Sequence, residues 1–160
     1  LTALLLTGVM LLLLASCGAA PLTPEQQARQ EIFNAINEVR KDKGMPSLRE
    51  VPKLTQLEQE FIEHFREAGT KGIPLSEAGK LEEELYNKQK EAGWQFTGGI
   101  TYSYSVSSAK LGNVYEGDTE AFRKKLSIFS VEDASTALSI GVVTIEGKIY
   151  WTATTLKPIT

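Results

Sequence analysis

The sequence contains a single cysteine and a single histidine, so few combinations of side chains could perform nucleophilic or acid–base chemistry. The cysteine, Cys17, follows a short apolar run at residues 9–15, and its thiol is the side chain best suited to accept a lipid as a thioether. The histidine, His64, lies at the edge of the apolar face of a predicted helix, one turn from Phe61. A lone histidine in this position is typical of a partly buried structural residue. We therefore expect covalent chemistry at Cys17 and no histidine-based catalysis.

Serine and carboxylate groups form no pattern that predicts catalysis or metal binding. A nucleophilic serine needs an adjacent base and oxyanion-stabilising donors, and the sequence has no G-x-S-x-G motif. The serines considered are Ser103, Ser105, Ser107 and Ser108. The acidic run Glu82-Glu83-Glu84 falls on a predicted helix, where consecutive side chains point in different directions and form a solvated face. Glu116 and Asp118 lack the spacing of a calcium loop, so we predict no catalytic residue, no metal site and no cofactor.

The segment around the cysteine, Leu14-Ala15-Ser16-Cys17, resembles the lipobox of bacterial lipoproteins. The resemblance implies that residues 1–16 are an N-terminally truncated signal peptide, that residues 17–24 are a lipidated tether, and that residues 25–160 form the folded domain. It also implies a lipid anchor in the cell envelope. In a Gram-negative cell, Gly18 favours the periplasmic face of the outer membrane. A membrane-spanning helix and an ordinary buried cysteine are the alternatives.

Charge and length limit the function classes further. The net charge is −3, and the first charged residue is Glu25, so the charge belongs entirely to the segment after the tether. A mildly acidic chain without a basic cluster does not suit nucleic-acid binding. The length fits one domain with a hydrophobic core. Once Cys17 is lipidated, no thiol is left for a disulfide or a cysteine metal site.

The order of predicted elements indicates an α+β domain. Thr23 and Gln26 form a capping-box pattern at the start of the first helix, and Gly44 follows its end. The second helix begins near Pro52, with the apolar face Leu54, Leu57, Phe61, Phe65 and Ala68. The remaining predictions are a helix over 77–92, a strand over 100–106, a short helix over 118–126, and a hairpin of strands 138–145 and 148–156 around Glu146-Gly147.

Several short motifs in this order resemble the CAP superfamily, which includes cysteine-rich secretory proteins, antigen 5 and pathogenesis-related proteins. The motifs are Asn37-Glu38-Val39-Arg40 followed by Gly44, Pro46 and Leu48, then Ala92-Gly93-Trp94, and finally Ile140-Gly141-Val142 with Gly147, Tyr150, Trp151 and Thr152. The resemblance covers residues 32–156. It implies an α–β–α sandwich with a central antiparallel sheet between helical layers.

The sequence departs from this family at the central cavity. Many CAP domains place two histidines and two acidic residues there, and some bind zinc. The corresponding segments here, residues 69–74, 98–100 and 121–126, contain no histidine and no acid. The family's cavity chemistry therefore transfers to no residue of this chain.

The aromatic residues of the second half have two interpretations. Trp94, Tyr102 and Tyr104 could line a groove for a lipid or other amphiphilic ligand, since some CAP proteins bind such molecules. The alternative is core and sheet packing, with buried hydroxyl and indole groups finding hydrogen-bond partners.

The sequence as a whole predicts a lipid-anchored, degenerate CAP-like domain that acts as a non-enzymatic binding or scaffold module. Its partners would be the membrane, through the lipid anchor, and a protein, cell-wall or lipid ligand. A lipid or small-amphiphile carrier and a cell-envelope hydrolase are the alternative functions.

Overall fold

The computed structural model describes residues 21–68, 75–99 and 134–160, together with 114–115, 117, 120 and 123–124. Its helices are α1 (Pro24–Asp42), α2 (Pro52–Ala68) and α3 (Leu75–Glu91). Its strands are β1 (Arg49–Glu50), β2 (Trp94–Gly99), β3 (Val114–Tyr115), β4 (Ala137–Ile145) and β5 (Lys148–Pro158). These elements confirm the predicted α+β class.

Some sequence predictions fall on other parts of the chain. The lipobox with Cys17, the strand over 100–106 with Tyr102 and Tyr104, the four serines, Glu116, Asp118 and most of the short helix over 118–126 lie outside the described residues. The third helix begins at Leu75, two residues earlier than predicted.

Local hydrogen bonds determine both ends of α1. The Thr23 hydroxyl accepts from the Gln26 amide at 3.2 Å, and the Gln26 side chain accepts from the Thr23 amide at 2.9 Å, which completes the predicted capping box. At the other end, Gly44 has a φ of 72°, and the Met45 amide donates to the Arg40 carbonyl at 2.9 Å. This is the Schellman arrangement that a glycine after the helix permits. The predicted start and stop of this helix are confirmed.

The hairpin of β4 and β5 is the longest continuous pairing among the described strands. Its register runs from Ala137 opposite Leu156 to Ile145 opposite Lys148. Glu146 and Gly147, with φ values of 49° and 76°, form the two-residue connection. Two successive positive φ values are the geometry of a type I′ turn, whose twist matches that of the strands. The predicted hairpin and its turn are confirmed.

The sheet is mixed: three of its four described pairings are antiparallel, as the resemblance implies, and one is parallel. Its strand order is β1-β4-β5-β2, with β3 paired to β5. The β1 strand runs parallel to β4, with Arg49 opposite Ala137 and Glu50 opposite Leu138. A parallel neighbour is possible because α2, α3 and β2 lie between the two strands in the chain, which lets the chain return to the same end of the sheet. Two residues are too short to show the alternation that predicts a strand.

The helices lie on both faces of the sheet, in three layers. Residues opposite each other in the hairpin register share a face, and alternate residues face opposite ways. On one face, α1 packs on a core that contains Leu138, Ile140, Val142, Trp151 and Ala153. On the other face, α2 packs on a core that contains Ala137, Val143 and Leu156, and α3 packs against α2.

Side chains from the helices cover the outer edge of β4 beyond its short pairing with β1. The Gln59 amide group accepts from the Val142 N–H at 3.0 Å and donates to the Val142 carbonyl at 2.8 Å, as a neighbouring strand would. The Glu25 carboxylate accepts from the Thr144 N–H at 2.7 Å. Arg29 of α1 donates to Gln59 at 2.7 Å, so the two helical layers meet at this edge. These contacts satisfy backbone groups that could otherwise pair with another chain.

Glycine is required at residue 141, where the backbone of α2 lies directly against β4. A Cβ atom there would lie 2.5 Å from the Glu58 carbonyl oxygen and 3.0 Å from a methyl group of Ile62. We predict that Gly141→Ala lowers the free energy of unfolding by about 2 kcal/mol, because the helix must move away from the strand. Urea denaturation measures this change. Gly79→Ala is the control, since nothing lies within 4 Å of that Cβ and alanine favours the helix.

An alanine at 141 that leaves the urea midpoint unchanged would contradict the close approach. The control substitution should raise stability by about 0.5–1 kcal/mol.

Candidate functional site

A cleft lies between the N-terminal half of α1, strand β3 and the turn of the hairpin. Its volume is about 670 Å³, within the usual range of small-molecule sites. The apolar side is formed by Pro24, Ala28, Val114 and Ile149. The polar groups are Gln27, Glu31, Tyr115 and Lys148, with Gly117 and Gly147 at the margin. The cleft therefore combines an apolar surface with one acidic and one basic side chain.

Glu31 is held in the cleft by hydrogen bonds from two elements. The Tyr115 hydroxyl donates to its Oε2, and the Gln27 side chain, one helical turn earlier, donates to its Oε1 at 2.9 Å. These two bonds, with that from Tyr115 the larger, lower the pKa of Glu31 below its usual range. Burial, and then the hydrogen bond to Glu31, raise the pKa of Tyr115. At neutral pH the pair is therefore a carboxylate and a neutral phenol, which suits binding of a cationic or hydrogen-bond-donating group.

A second polar cluster is buried between the sheet and the α2–α3 layer. Glu58 is 0 % exposed, and its Oε2 atom accepts from Thr154 at 2.7 Å and from Ser139 at 3.1 Å. Gln89 of α3, also fully buried, donates to the Thr154 hydroxyl at 3.0 Å. Burial raises the pKa of Glu58 to about 7, and the nearby hydroxyls of Thr154, Thr152 and Ser139 oppose the rise only in part.

The prediction from sequence missed Glu58, although a signal was present. Glu58 is four residues after Leu54 and four before Ile62, and both of these are 0 % exposed. A helical wheel therefore places the carboxylate inside the apolar face rather than beside it. The cleft left no comparable signal, because its residues come from distant parts of the chain.

His64 is exposed, so the prediction of a partly buried histidine was wrong. The buried side of α2 follows Leu54, Glu58, Phe61 and Ile62, which turns His64 outward. Its Nδ1 atom lies 2.9 Å from the Glu60 carbonyl oxygen, one turn earlier in the same helix.

Trp94 is the one described member of the predicted aromatic groove. It is half-buried as the first residue of β2 and packs beside Leu54 and Leu156. The Arg49 guanidinium lies 5.5 Å from its ring centroid, close enough for a cation–π contact. Trp94 does not line the cleft at Glu31. Its role in ligand binding stays a prediction.

The acidic run of α3 divides among different partners. Glu84 pairs with Lys88 at 2.8 Å, and Glu82 accepts from the Tyr86 hydroxyl at 2.5 Å, while Glu83 is exposed. These contacts agree with the solvated face that was expected. Within the described ranges, no group of three or more histidine, cysteine or acidic residues could hold a metal ion.

Two residues of the first CAP-like motif bind the loop that follows α1. The Asn37 side chain accepts from the Leu48 N–H at 2.7 Å and donates to the Leu48 carbonyl at 3.1 Å. Arg40 is fully buried, and its Nε donates to the Pro46 carbonyl at 2.7 Å. Both residues thus position the chain that enters β1, and they do so by structural hydrogen bonds.

Comparison with protein-family models gave no match, and comparison with curated proteins gave no significant match. In the part of the chain with described coordinates, no helix has both the length and the apolar character needed to cross a bilayer.

The Tyr115–Glu31 bond yields a prediction with a defined pH dependence. Because the bond lowers the pKa of Glu31 in the folded state, its stabilisation is present above the usual carboxyl pKa and is lost as the pH falls. We expect Tyr115→Phe to cost about 1 kcal/mol at pH 7, a value reduced by the partial exposure of Glu31, and less at pH 3. Chemical denaturation at the two pH values measures the difference.

Tyr150→Phe is the matched control. Tyr150 lies on β5 opposite Val114, and the described residues give its hydroxyl no hydrogen-bond partner. Its removal should leave stability nearly unchanged at both pH values. If Tyr115→Phe lowered the free energy of unfolding equally at pH 7 and pH 3, the hydrogen bond to the Glu31 carboxylate would not be the source of the effect.

Proposed function

We propose that this chain is a lipoprotein of the bacterial cell envelope whose domain, residues 25–160, acts as a non-enzymatic binding or scaffold module. The observation that carries the proposal is the Leu14-Ala15-Ser16-Cys17 segment, which provides a lipid-accepting thiol seven residues before the start of α1. One acyl chain binds a membrane only marginally, and the multiple chains of a lipoprotein anchor make attachment stable.

The tether would keep the cleft close to the membrane. Seven residues span at most about 25 Å when fully extended. Pro24, the first residue of α1, also lines the cleft, so a lipid on Cys17 would hold the cleft within that distance of the membrane surface. A ligand at the envelope surface would then need to diffuse only a short distance to reach Glu31 and Lys148.

The arrangement of layers supports a CAP-like domain. The resemblance to CAP domains implies a sheet with helices on both faces and a closing hairpin with Gly141 and Gly147. The described residues contain these features. The parallel β1 strand differs from it. The segments that hold the cavity histidines in the CAP family contain no histidine in this sequence. We therefore propose a binding module and not an enzyme.

Binding of a small amphiphile is the second candidate function. The observation that favours it is the combination, in one cleft of about 670 Å³, of an apolar side with the charged residues Glu31 and Lys148. Native mass spectrometry of residues 18–160, produced without Cys17 so that no anchor lipid adds to the mass, distinguishes the two functions. A retained adduct of lipid size supports the carrier, whereas a bare polypeptide mass supports the scaffold.

Lipidation is tested by Cys17→Ala in a bacterial host, with the sequence preceded by an initiator Met and a basic region. We expect the parent protein to incorporate labelled palmitate and the variant to lose the label, because alanine has no nucleophile. Ser16→Ala, which keeps a small residue before the cleavage site, is the control and should be labelled normally. Palmitate label on the Cys17→Ala protein, or no label on the parent protein, would refute lipidation at Cys17.

A further inference from the structure

The carboxyl group of Glu58 connects three elements of the core. It extends from α2 to hydroxyls on both strands of the hairpin, Ser139 on β4 and Thr154 on β5. Gln89 joins the same group from α3 through Thr154. All four side chains are 1 % exposed or less. Any change in the charge of Glu58 therefore acts on the contact between the α2–α3 layer and the sheet.

The hydrogen bonds of this cluster leave it short of a donor. Both hydroxyl bonds go to Oε2 of Glu58, and its Oε1 has no hydrogen-bond partner among the described atoms. The other unpartnered buried atoms on this side are Oε1 of Gln89, which only accepts, and the hydroxyl oxygen of Thr152, whose single proton can serve one acceptor. A carboxylate only accepts hydrogen bonds, whereas a carboxylic acid also donates one. The Thr152 hydroxyl has one proton for the free oxygens of Glu58 and Gln89, so a proton on Glu58 supplies the further donor that the cluster needs.

The charges around Glu58 also favour the neutral acid. From α3, the charged group that acts on it is Glu82, which has the same sign. The sheet presents only hydroxyls to it, from Ser139, Thr152 and Thr154. In the described part of the chain, no cation compensates a carboxylate at this position. A buried carboxylate without a partner charge is costly, and the usual outcome is protonation.

We propose that Glu58 is a pH-dependent switch: its neutral acid holds the α2–α3 layer against the sheet, and loss of the proton favours local opening of that layer. Gly141 makes the contact sensitive to this change. The Glu58 carbonyl oxygen lies 2.5 Å from the position that a Cβ of residue 141 would take, so α2 and β4 are in direct contact there and a carboxylate can gain solvation only if the helix moves outward.

The direction of the pH effect follows from the pKa of the Glu58 carboxyl group. This pKa has its ordinary value of 4.5 in an opened state and is about 7 in the folded state. A group whose pKa is raised on folding stabilises the fold fully below its unfolded value, and this stabilisation is lost as the pH rises through the folded value. Between pH 6 and pH 8, the equilibrium constant for opening should therefore rise about tenfold.

Amide hydrogen exchange of the full chain at pH 6 and pH 8, corrected for the intrinsic exchange rate, tests the proposal. We expect the opening constants of α2 amides to rise about tenfold, while amides of α1, on the other face of the sheet, stay unchanged. In Glu58→Gln, a neutral isostere, the α2 amides should lose this pH dependence. Glu60→Gln, an exposed glutamate on the same helix, is the matched control and should keep it.

Three results would overturn the switch: an unchanged pH dependence in Glu58→Gln, no pH dependence in the parent protein, or an equal change in α1. If Glu58→Gln does not fold, the carboxyl titration of the parent protein decides instead. Carbon-13 NMR of Glu58 should give a midpoint near 7, and a midpoint near 4.5 would refute the proposal.

Discussion

Helix α2 can lie directly on strand β4 because residue 141 has no side chain, and the other contacts on this face depend on that approach. The Glu58 backbone fills the space that a Cβ at 141 would take. At this distance the Glu58 side chain reaches the hydroxyls of the hairpin, and Gln59, the next residue, reaches the outer edge of β4 at Val142. Ile62, one turn later, packs on the same strand. A helix held further from the sheet would lose these contacts together.

The same edge of the sheet holds the start of α1 in place. Glu25, in the first turn of α1, accepts from the Thr144 amide and forms an ion pair with Arg66 of α2 at 3.1 Å. The cleft begins at the neighbouring Pro24 and continues to Glu31 on the same helix. The cleft is therefore built on a helix end that is bound to both the sheet and the opposite helical layer. That support gives a surface site the fixed geometry that recognition needs.

Features that depend on neighbouring residues could be predicted from the sequence, and features that depend on distant ones could not. The capping box at Thr23 and the turn at Glu146-Gly147 depend on a few adjacent residues, and both were predicted correctly. The β1 strand is two residues long and exists only because β4 supplies a partner from far along the chain. The cleft likewise needs α1, β3 and the hairpin together. His64 was assigned the wrong exposure because the buried side of α2 extends to Glu58 and Ile62, away from the edge of the helix on which His64 lies.

Glu31 and Glu58 are two glutamates of one domain whose surroundings favour different charge states, the carboxylate for Glu31 and the neutral acid for Glu58. Each oxygen of Glu31 accepts one hydrogen bond at a partly exposed position, so the carboxylate is the stable form. Glu58 has both of its bonds on one oxygen, is fully buried and has Glu82 as its charged neighbour, so the acid is favoured. A permanent charge suits ligand recognition at the surface, whereas a group that titrates near neutral pH suits control of internal packing. The two roles can coexist because the clusters lie on opposite sides of the sheet, α1 carrying one and α2 the other.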